Sequence, residues 1–98
     1  MAGYEHRREL ARCLGENVLL TRRRSDLSQE ELGFLASLHR TEIGQLERGA
    51  RIARIDTVVK LAGALKVPPG DLLKGMAWVP SAGQRGRFVT RGAAQRAD

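Results

Sequence analysis

The stretch LHRTEIGQLERG, residues 38–49, places Arg40, Thr41 and Gln45 in a segment with few apolar side chains. These residue types suit base edges in the DNA major groove: arginine forms two hydrogen bonds with guanine, glutamine does so with adenine, and threonine offers a hydroxyl and a methyl group. Gly44 lies among them and, having no side chain, would allow close approach to a duplex. The segment is a candidate base-reading surface, and the alternative is the solvated side of an ordinary surface helix.

Two short helices are predicted to position these side chains. Ser28 followed by Glu31 indicates a capping box, which begins a helix over Gln29–Ala36. After a three-residue bend, another helix spans Arg40–Glu47 and ends at Gly49, a residue suited to a left-handed C-cap. Together they form a helix-turn-helix, in which Gly33 allows close approach of the two backbones. Its predicted core consists of Leu32, Gly33, Ala36, Leu38, Ile43 and Leu46.

The rest of the chain also favours helices. Leu10, Leu14 and Val18 recur every four residues and predict a first helix over 7–24. A fourth helix is predicted over 55–65, and a short fifth one after the adjacent prolines. Aromatic residues make up only 4% of the chain, and no long alternating run of β-branched residues indicates a sheet. The predicted fold class is therefore all-α.

The charge distribution favours a polyanionic partner. The formal net charge is +6, yet residues 27–75 hold seven basic and six acidic residues, so the basic excess lies in the flanks. Residues 76–98 alone hold four basic residues and one acidic residue. Such a balance indicates nucleic acid before membrane.

The remaining composition predicts neither a cofactor nor a metal. Cys13 is the single cysteine and cannot form an internal disulfide, and with only His6 and His39 no four-ligand zinc site can be drawn. The first residues are charged, and no apolar run reaches the ~20 residues of a membrane span. We expect a cytoplasmic protein with no small-molecule ligand.

Residues 14–75 resemble the Cro/C1-type (XRE) helix-turn-helix family, on the stretches LGENV, LSQEEL, LHRTEIGQLERG and DTVVKLAGALKVPPGDLL. The resemblance implies a compact five-helix, lambda-repressor-like DNA-binding domain, and a transcriptional regulator that binds a two-fold repeated operator as a homodimer. It also suggests a division of the chain into an N-terminal extension (1–9), the DNA-binding domain (10–75) and a basic tail (76–98).

The resemblance implies a role for each matching residue. Arg40, Thr41 and Gln45 would face base edges in the major groove, with Gly44 beside them, and Gln29 would bond a phosphate and brace the third helix. Further phosphate contacts are implied at His39, Arg48, Arg51 and Arg54.

Other matching positions are structural. Arg22 and Glu47 fall where the family places an ion pair that joins the first helix to the third. The family has glycine where this chain has Asp26 and Ser37, so strained turns are expected there. Where His39 stands the family favours a serine or threonine cap, so His39 is either a weaker cap or a phosphate contact.

Several interpretations stay open. Residues 76–98 are interpreted as a flexible tail, with a strand that pairs across a dimer and a solubilising end as alternatives. The predicted fifth helix and the segment around Met76, Trp78 and Val79 are the candidate dimer surface, unless Trp78 folds back onto its own core. The alternatives to a regulator are an antitoxin and a protein-interaction adaptor. An enzyme is not expected, because no nucleophile–base arrangement or phosphate loop is present.

Overall fold

The computed structural model describes residues 2–83 and 85–90, which form five helices followed by a β-hairpin. The elements are α1 (Ala2–Arg24), α2 (Gln29–Ala36), α3 (Arg40–Glu47), α4 (Ile55–Leu65), α5 (Pro69–Leu72), β1 (Met76–Val79) and β2 (Arg87–Thr90). The predicted five-helix domain is confirmed, and α2, α3 and α4 have the predicted bounds. Across these described ranges, no helix combines the length and the apolar character needed to cross a membrane.

Helix α1 is longer at its N-terminus than predicted. It begins at Ala2 rather than at residue 7 and continues through residue 9 without a break. The segment EHRREL consists mostly of residues with good helix propensity and contains no proline, so nothing ends the helix there. The division into extension, domain and tail therefore has no matching break of secondary structure at residue 9, and it stays a prediction.

A capping box begins α2. The backbone N–H of Glu31 donates to Ser28 Oγ at 3.0 Å, and the backbone N–H of Ser28 donates to Glu31 Oε1 at 2.8 Å. The hydrogen bond from the Ser28 backbone N–H to the Glu31 carboxylate, and after it the one from the Ser28 hydroxyl, lower the pKa of the Glu31 carboxyl. Only the ionised carboxylate accepts these bonds fully, so their contribution to the free energy of unfolding is complete at pH values above the ordinary glutamate pKa. It is lost as the pH falls through the lowered value.

Among the described residues, three that are not glycine have left-handed backbone conformations where helices end. Their φ angles are +58° at Asp26, +57° at Ser37 and +60° at Lys66. For a residue with a Cβ atom this conformation costs roughly 1–2 kcal/mol. The positive φ angles at Asp26 and Ser37 agree with the expectation of strained turns on both sides of α2.

We expect Ser37→Gly to raise the free energy of unfolding by about 0.5–1 kcal/mol. Glycine adopts this φ without a steric cost, and its greater freedom in the unfolded chain offsets only part of that gain. Urea unfolding followed by circular dichroism measures the change. A variant that is no more stable than the wild type would show that Ser37 is not strained.

The core lies where α1, α4 and α5 pack around the helix-turn-helix. Its largest fully buried side chains are Leu32, Ile43, Leu46, Leu61, Leu72 and Val18. The predicted helix-turn-helix core is buried except at Leu38, which packs against the core while only half-buried. A Cβ atom added to Gly33 would lie 2.5 Å from the carbonyl oxygen of Leu38. The close crossing of α2 and the start of α3 therefore requires glycine at this position.

Residues 76–79 and 87–90 pair as a hairpin, whereas the sequence predicted a flexible tail from residue 76 onward. Strands β1 and β2 pair antiparallel within one chain, and β2 packs along α1. Met76 contacts the helical core, and Trp78 and Phe88 make an edge-to-face contact with ring centroids 4.9 Å apart. Each strand has only four residues, which is too short for a clear alternating pattern in the sequence. The end of the predicted tail, 91–98, lies outside the described residues.

Candidate nucleic-acid interface

The polar face of α3 presents the predicted base-reading side chains to solvent. Arg40 and Thr41, in the first turn, are exposed, and Gln45, one turn later, is partly exposed. On the opposite side of the helix, Ile43 and Leu46 are fully buried. Helix α3 is therefore held by one side and leaves the other accessible to a ligand.

Arg40 is only loosely held by its neighbour. Its Nη1 atom lies 4.0 Å from Glu30 Oε2, and the two side chains are 66% and 79% exposed. Exposed ion pairs of this kind contribute about 0.2–1 kcal/mol, so the guanidinium can exchange this partner for a base at little cost. Glu30 could not be predicted as this neighbour, because no spacing pattern indicates which residues of two successive helices face each other.

Gly44 does not lie on this exposed face, contrary to prediction. It is buried, and a Cβ atom added to it would lie 3.2 Å from Arg48 Nη1 and 3.7 Å from the side-chain amide of Gln29. The bend between the helices turns this side of α3 toward the start of α2. Gly44 therefore makes room for two side chains of the protein rather than for a base.

An ion pair between Arg22 and Glu47 joins α1 to α3. Arg22 Nε donates to Glu47 Oε2 at 2.5 Å and Nη2 donates to Oε1 at 3.0 Å, while Nη1 donates to the carbonyl oxygen of Leu27 at 2.8 Å. The two side chains are only 12% and 5% exposed. The hydrogen bond with Glu47 raises the pKa of Arg22 further above its ordinary value, although burial opposes this. Two parallel bonds from Arg22 to the Glu47 carboxylate fix the orientation of α3.

Gln29, on α2, also donates a hydrogen bond to the Glu47 carboxylate. Its Nε2 atom donates to Glu47 Oε1 at 2.9 Å, as the bracing role implied for this residue requires. Gln29 is the first residue of α2 and remains exposed. Glu47 thus connects three helices, and Gln29 stays a predicted phosphate contact at the edge of the reading face.

His39 is the N-cap of α3. Its Nδ1 atom accepts a hydrogen bond from the backbone N–H of Thr41 at 3.0 Å. This bond assigns the proton of a neutral imidazole to Nε2, which is then a donor. The cap and the predicted phosphate contact use different ring nitrogens, so one side chain can serve both roles.

The arginines that follow α3 differ in their surroundings. Arg51 Nη1 lies 3.5 Å from Gln45 Oε1 and 3.9 Å from Glu42 Oε2, so Arg51 adjoins the reading face. Arg48 is the exposed C-cap of α3, and Arg54 Nε lies 3.4 Å from an oxygen of Asp56 at the start of α4. The structure therefore brings Arg51 and Arg48 to α3 and places Arg54 at the next helix.

The chain is similar to two curated control proteins of bacteria. It is 48% identical over 50 residues to control protein C.BamHI of Bacillus amyloliquefaciens, covering 51% of this chain and 62% of that protein. It is 40% identical over 65 residues to control protein C.SmaI of Serratia marcescens, covering 66% of this chain and 77% of that protein. The chain therefore spans less than two thirds of C.BamHI.

Solved structures share the helical domain. The restriction-modification controller protein C.AhdI from Aeromonas hydrophila superposes with a TM-score of 0.62 at 37% identity, covering 63% of this chain and 94% of that structure. The P22 c2 repressor protein, in complex with a synthetic operator, superposes with a TM-score of 0.59 at 29% identity and the same coverages, 63% and 94%. A family model described as helix-turn-helix matches residues 20–72, more than half of the chain. The chain belongs to the Cro/C1-type helix-turn-helix family.

Proposed function

We propose that this chain is a sequence-specific, double-stranded DNA-binding transcriptional regulator that reads the major groove with α3. The observation that carries the proposal is a braced helix with an outward polar face: Glu47 is bonded to two other helices, while Arg40 and Gln45 extend on the accessible side. A controller of restriction-modification and a repressor with its operator are among the similar structures. The proposed targets are therefore genes of a restriction-modification system.

The proposal places the protein in the bacterial cytoplasm and assigns it no catalytic activity. An adaptor would need an apolar or acidic outer face on α3, whereas this face carries Arg40, Thr41 and Gln45. No contact in the described residues favours an antitoxin.

The proposal includes a homodimer, because one domain of this size makes limited contact with DNA and paired half-sites about 34 Å apart add specificity. Ile55 and Val59, one turn apart on α4, are 83% and 54% exposed. We propose that a second copy covers them. In the dimer segment expected from the sequence, Met76 packs against its own core, whereas Trp78 contacts Phe88 and is 54% exposed, so this segment stays the alternative dimer surface.

We expect Ile55→Glu to raise the dimer Kd at least tenfold, about 1.4 kcal/mol, without unfolding the domain. The residue contributes little to its own core, but a carboxylate in the dimer contact would lose its hydration. Sedimentation velocity over a concentration series measures the change. The matched control is Phe34→Glu on α2, where the native side chain is 85% exposed and the dimer should persist. A dimer unchanged by Ile55→Glu excludes this surface of α4.

Selection of bound duplexes from a random pool, at near-physiological salt, tests the function itself. The expected result is enrichment of a two-fold repeated motif with half-sites about one helical turn apart. Binding without enrichment of any motif would contradict sequence-specific recognition and leave only attraction between the basic flanks and phosphates.

We expect Arg40→Ala and Gln45→Ala each to weaken binding at the selected site by about 1–3 kcal/mol and to relax the preference for one base pair. The physical reason is the loss of paired hydrogen bonds to a base edge. Fluorescence anisotropy with the selected duplex and its single-base variants measures both effects.

Arg51→Ala is the control for these two variants. As a predicted phosphate contact, it should weaken all duplexes alike and flatten the slope of log K against log salt by about one unit. If Arg40→Ala selects the same motif as the wild type, with the same preference at every base pair, Arg40 does not read a base.

A further inference from the structure

A cleft rich in arginine lies between the first turns of α1 and the loop that follows α3. It is lined by Arg7, Arg8 and Ala11 on one side and by residues 49–52, including Arg51, on the other. None of these lining residues is acidic. Like charges converging on one cleft favour an anionic ligand.

Close packing of the main chain places the two sides of the cleft against each other. Gly49 has a φ angle of +69°, and a Cβ atom there would lie 2.9 Å from the Cα atom of Arg12. The backbone of α1 therefore runs directly against the turn that ends α3. Arg7 and Arg8 extend from about one turn earlier on α1, so their distance from the loop is set by the packed backbone.

The cleft adjoins the base-reading face. Arg51 is shared by both, since it lines the cleft and its Nη1 atom lies 3.5 Å from Gln45 Oε1. With α3 in a major groove, the sugar-phosphate backbone runs along the rim of the reading face. A cleft that continues from this rim is placed to receive the backbone of the same duplex.

We propose that Arg7 and Arg8 bind DNA phosphates just outside the half-site read by α3 and so extend the row of phosphate contacts begun by Arg51. This inference rests on the proposed function. The two arginines precede residues 20–72, which the family model matches, so the contact lies in the part of α1 before the matched segment. It would lengthen the footprint and contribute affinity that does not depend on sequence.

The test compares a double variant, Arg7→Gln with Arg8→Gln, with a control that removes the same charge, Lys66→Gln with Lys74→Gln, from exposed positions just after α4 and α5. Affinity for the selected duplex is measured from about 50 to 200 mM salt, with long flanks and with flanks trimmed to the half-site boundary. On the long duplex, the slope of log K against log salt should flatten by about 0.9 for each phosphate that the Arg→Gln double variant no longer binds. The slope of the Lys→Gln control should flatten less. On the trimmed duplex, the double variant and the wild type should bind alike.

Charge-retaining variants and melting curves separate contact from folding. Arg7→Lys with Arg8→Lys should keep most of the wild-type slope, because a lysine ammonium also neutralises a phosphate. Thermal unfolding of every variant verifies the fold, and if the glutamine pair does not fold, Arg7→Gln alone is measured instead.

Four results would overturn the proposal. The cleft would not be part of the interface if the folded Arg→Gln double variant had the wild-type salt slope. The same would follow if the Lys→Gln control flattened the slope by the same amount. A difference that persists on the trimmed duplex would place these contacts inside the half-site. Absence of DNA binding by the wild-type protein would reject the proposed function and this inference with it, whereas the other results leave the proposed function intact.

Discussion

Replacing Glu47 with alanine is expected to lower the free energy of unfolding by about 3 kcal/mol, because it leaves the Arg22 guanidinium without its partner in a mostly buried site. This value is at the lower end for such pairs, since Arg22 keeps its hydrogen bond to Leu27 and some contact with solvent. For a domain of this size the melting temperature should fall by at least about 12 °C. Thermal and urea unfolding followed by circular dichroism measure the change.

Glu42→Ala is the matched control on the same helix. The Glu42 carboxylate lies 3.9 Å from Arg51 Nη1, in a pair whose side chains are 26% and 47% exposed. Its removal should cost less than about 1 kcal/mol. An unchanged melting temperature for Glu47→Ala would show that the Arg22–Glu47 pair does not hold α1 to α3.

Gly15→Ala is expected to destabilise the fold by about 3 kcal/mol, the upper part of the range for overpacked cores. An added Cβ atom would overlap the carbonyl oxygen of Leu46 and lie 2.8 Å from that of Glu47. Both atoms belong to the backbone of α3, so no change of rotamer relieves the clash and the two helices must separate. Urea unfolding gives the free energy.

The control for this substitution is Gly63→Ala. Gly63 lies inside α4, and a Cβ atom there would meet nothing within 4 Å beyond its chain neighbours and the backbone of its own helix. Alanine should therefore stabilise the helix by about 0.5–1 kcal/mol, the usual difference in propensity. Opposite signs for the two glycines would establish close packing at Gly15. Stabilisation by both would contradict the contact between α1 and α3.

The bounds of the helix-turn-helix could be predicted because their signals are local. Ser28 and Glu31 close the start of α2 with bonds between residues three apart, and Gly49 ends the turn after α3 with a positive φ angle. The spacing of apolar residues likewise predicted the bounds of α4. The Arg22–Glu47 pair could be predicted only from the family resemblance, since no local spacing connects these residues.

Contacts between distant parts of the chain could not be predicted from the sequence. Nothing in the residues around Gly15 indicates that the end of α3 lies against it, and nothing around Gly44 indicates that Gln29 and Arg48 cover it. Asn17 is buried and donates from Nδ2 to the carbonyl oxygen of Leu72 at 2.9 Å, a partner that only the folded chain brings near. Periodicity reports which side of a helix is buried and not what covers it.

The side chains that hold α3 and those proposed to read DNA are different residues. Ile43, Leu46 and Glu47 make the packed and paired contacts, whereas Arg40 and Gln45 are partly or largely exposed. Mutations at the second set should therefore leave the fold near its original stability. After a gene duplication, one copy can acquire a new operator through a few substitutions while the other keeps its own. With the proposed function, a lineage of such proteins can therefore diverge in target without passing through unstable intermediates.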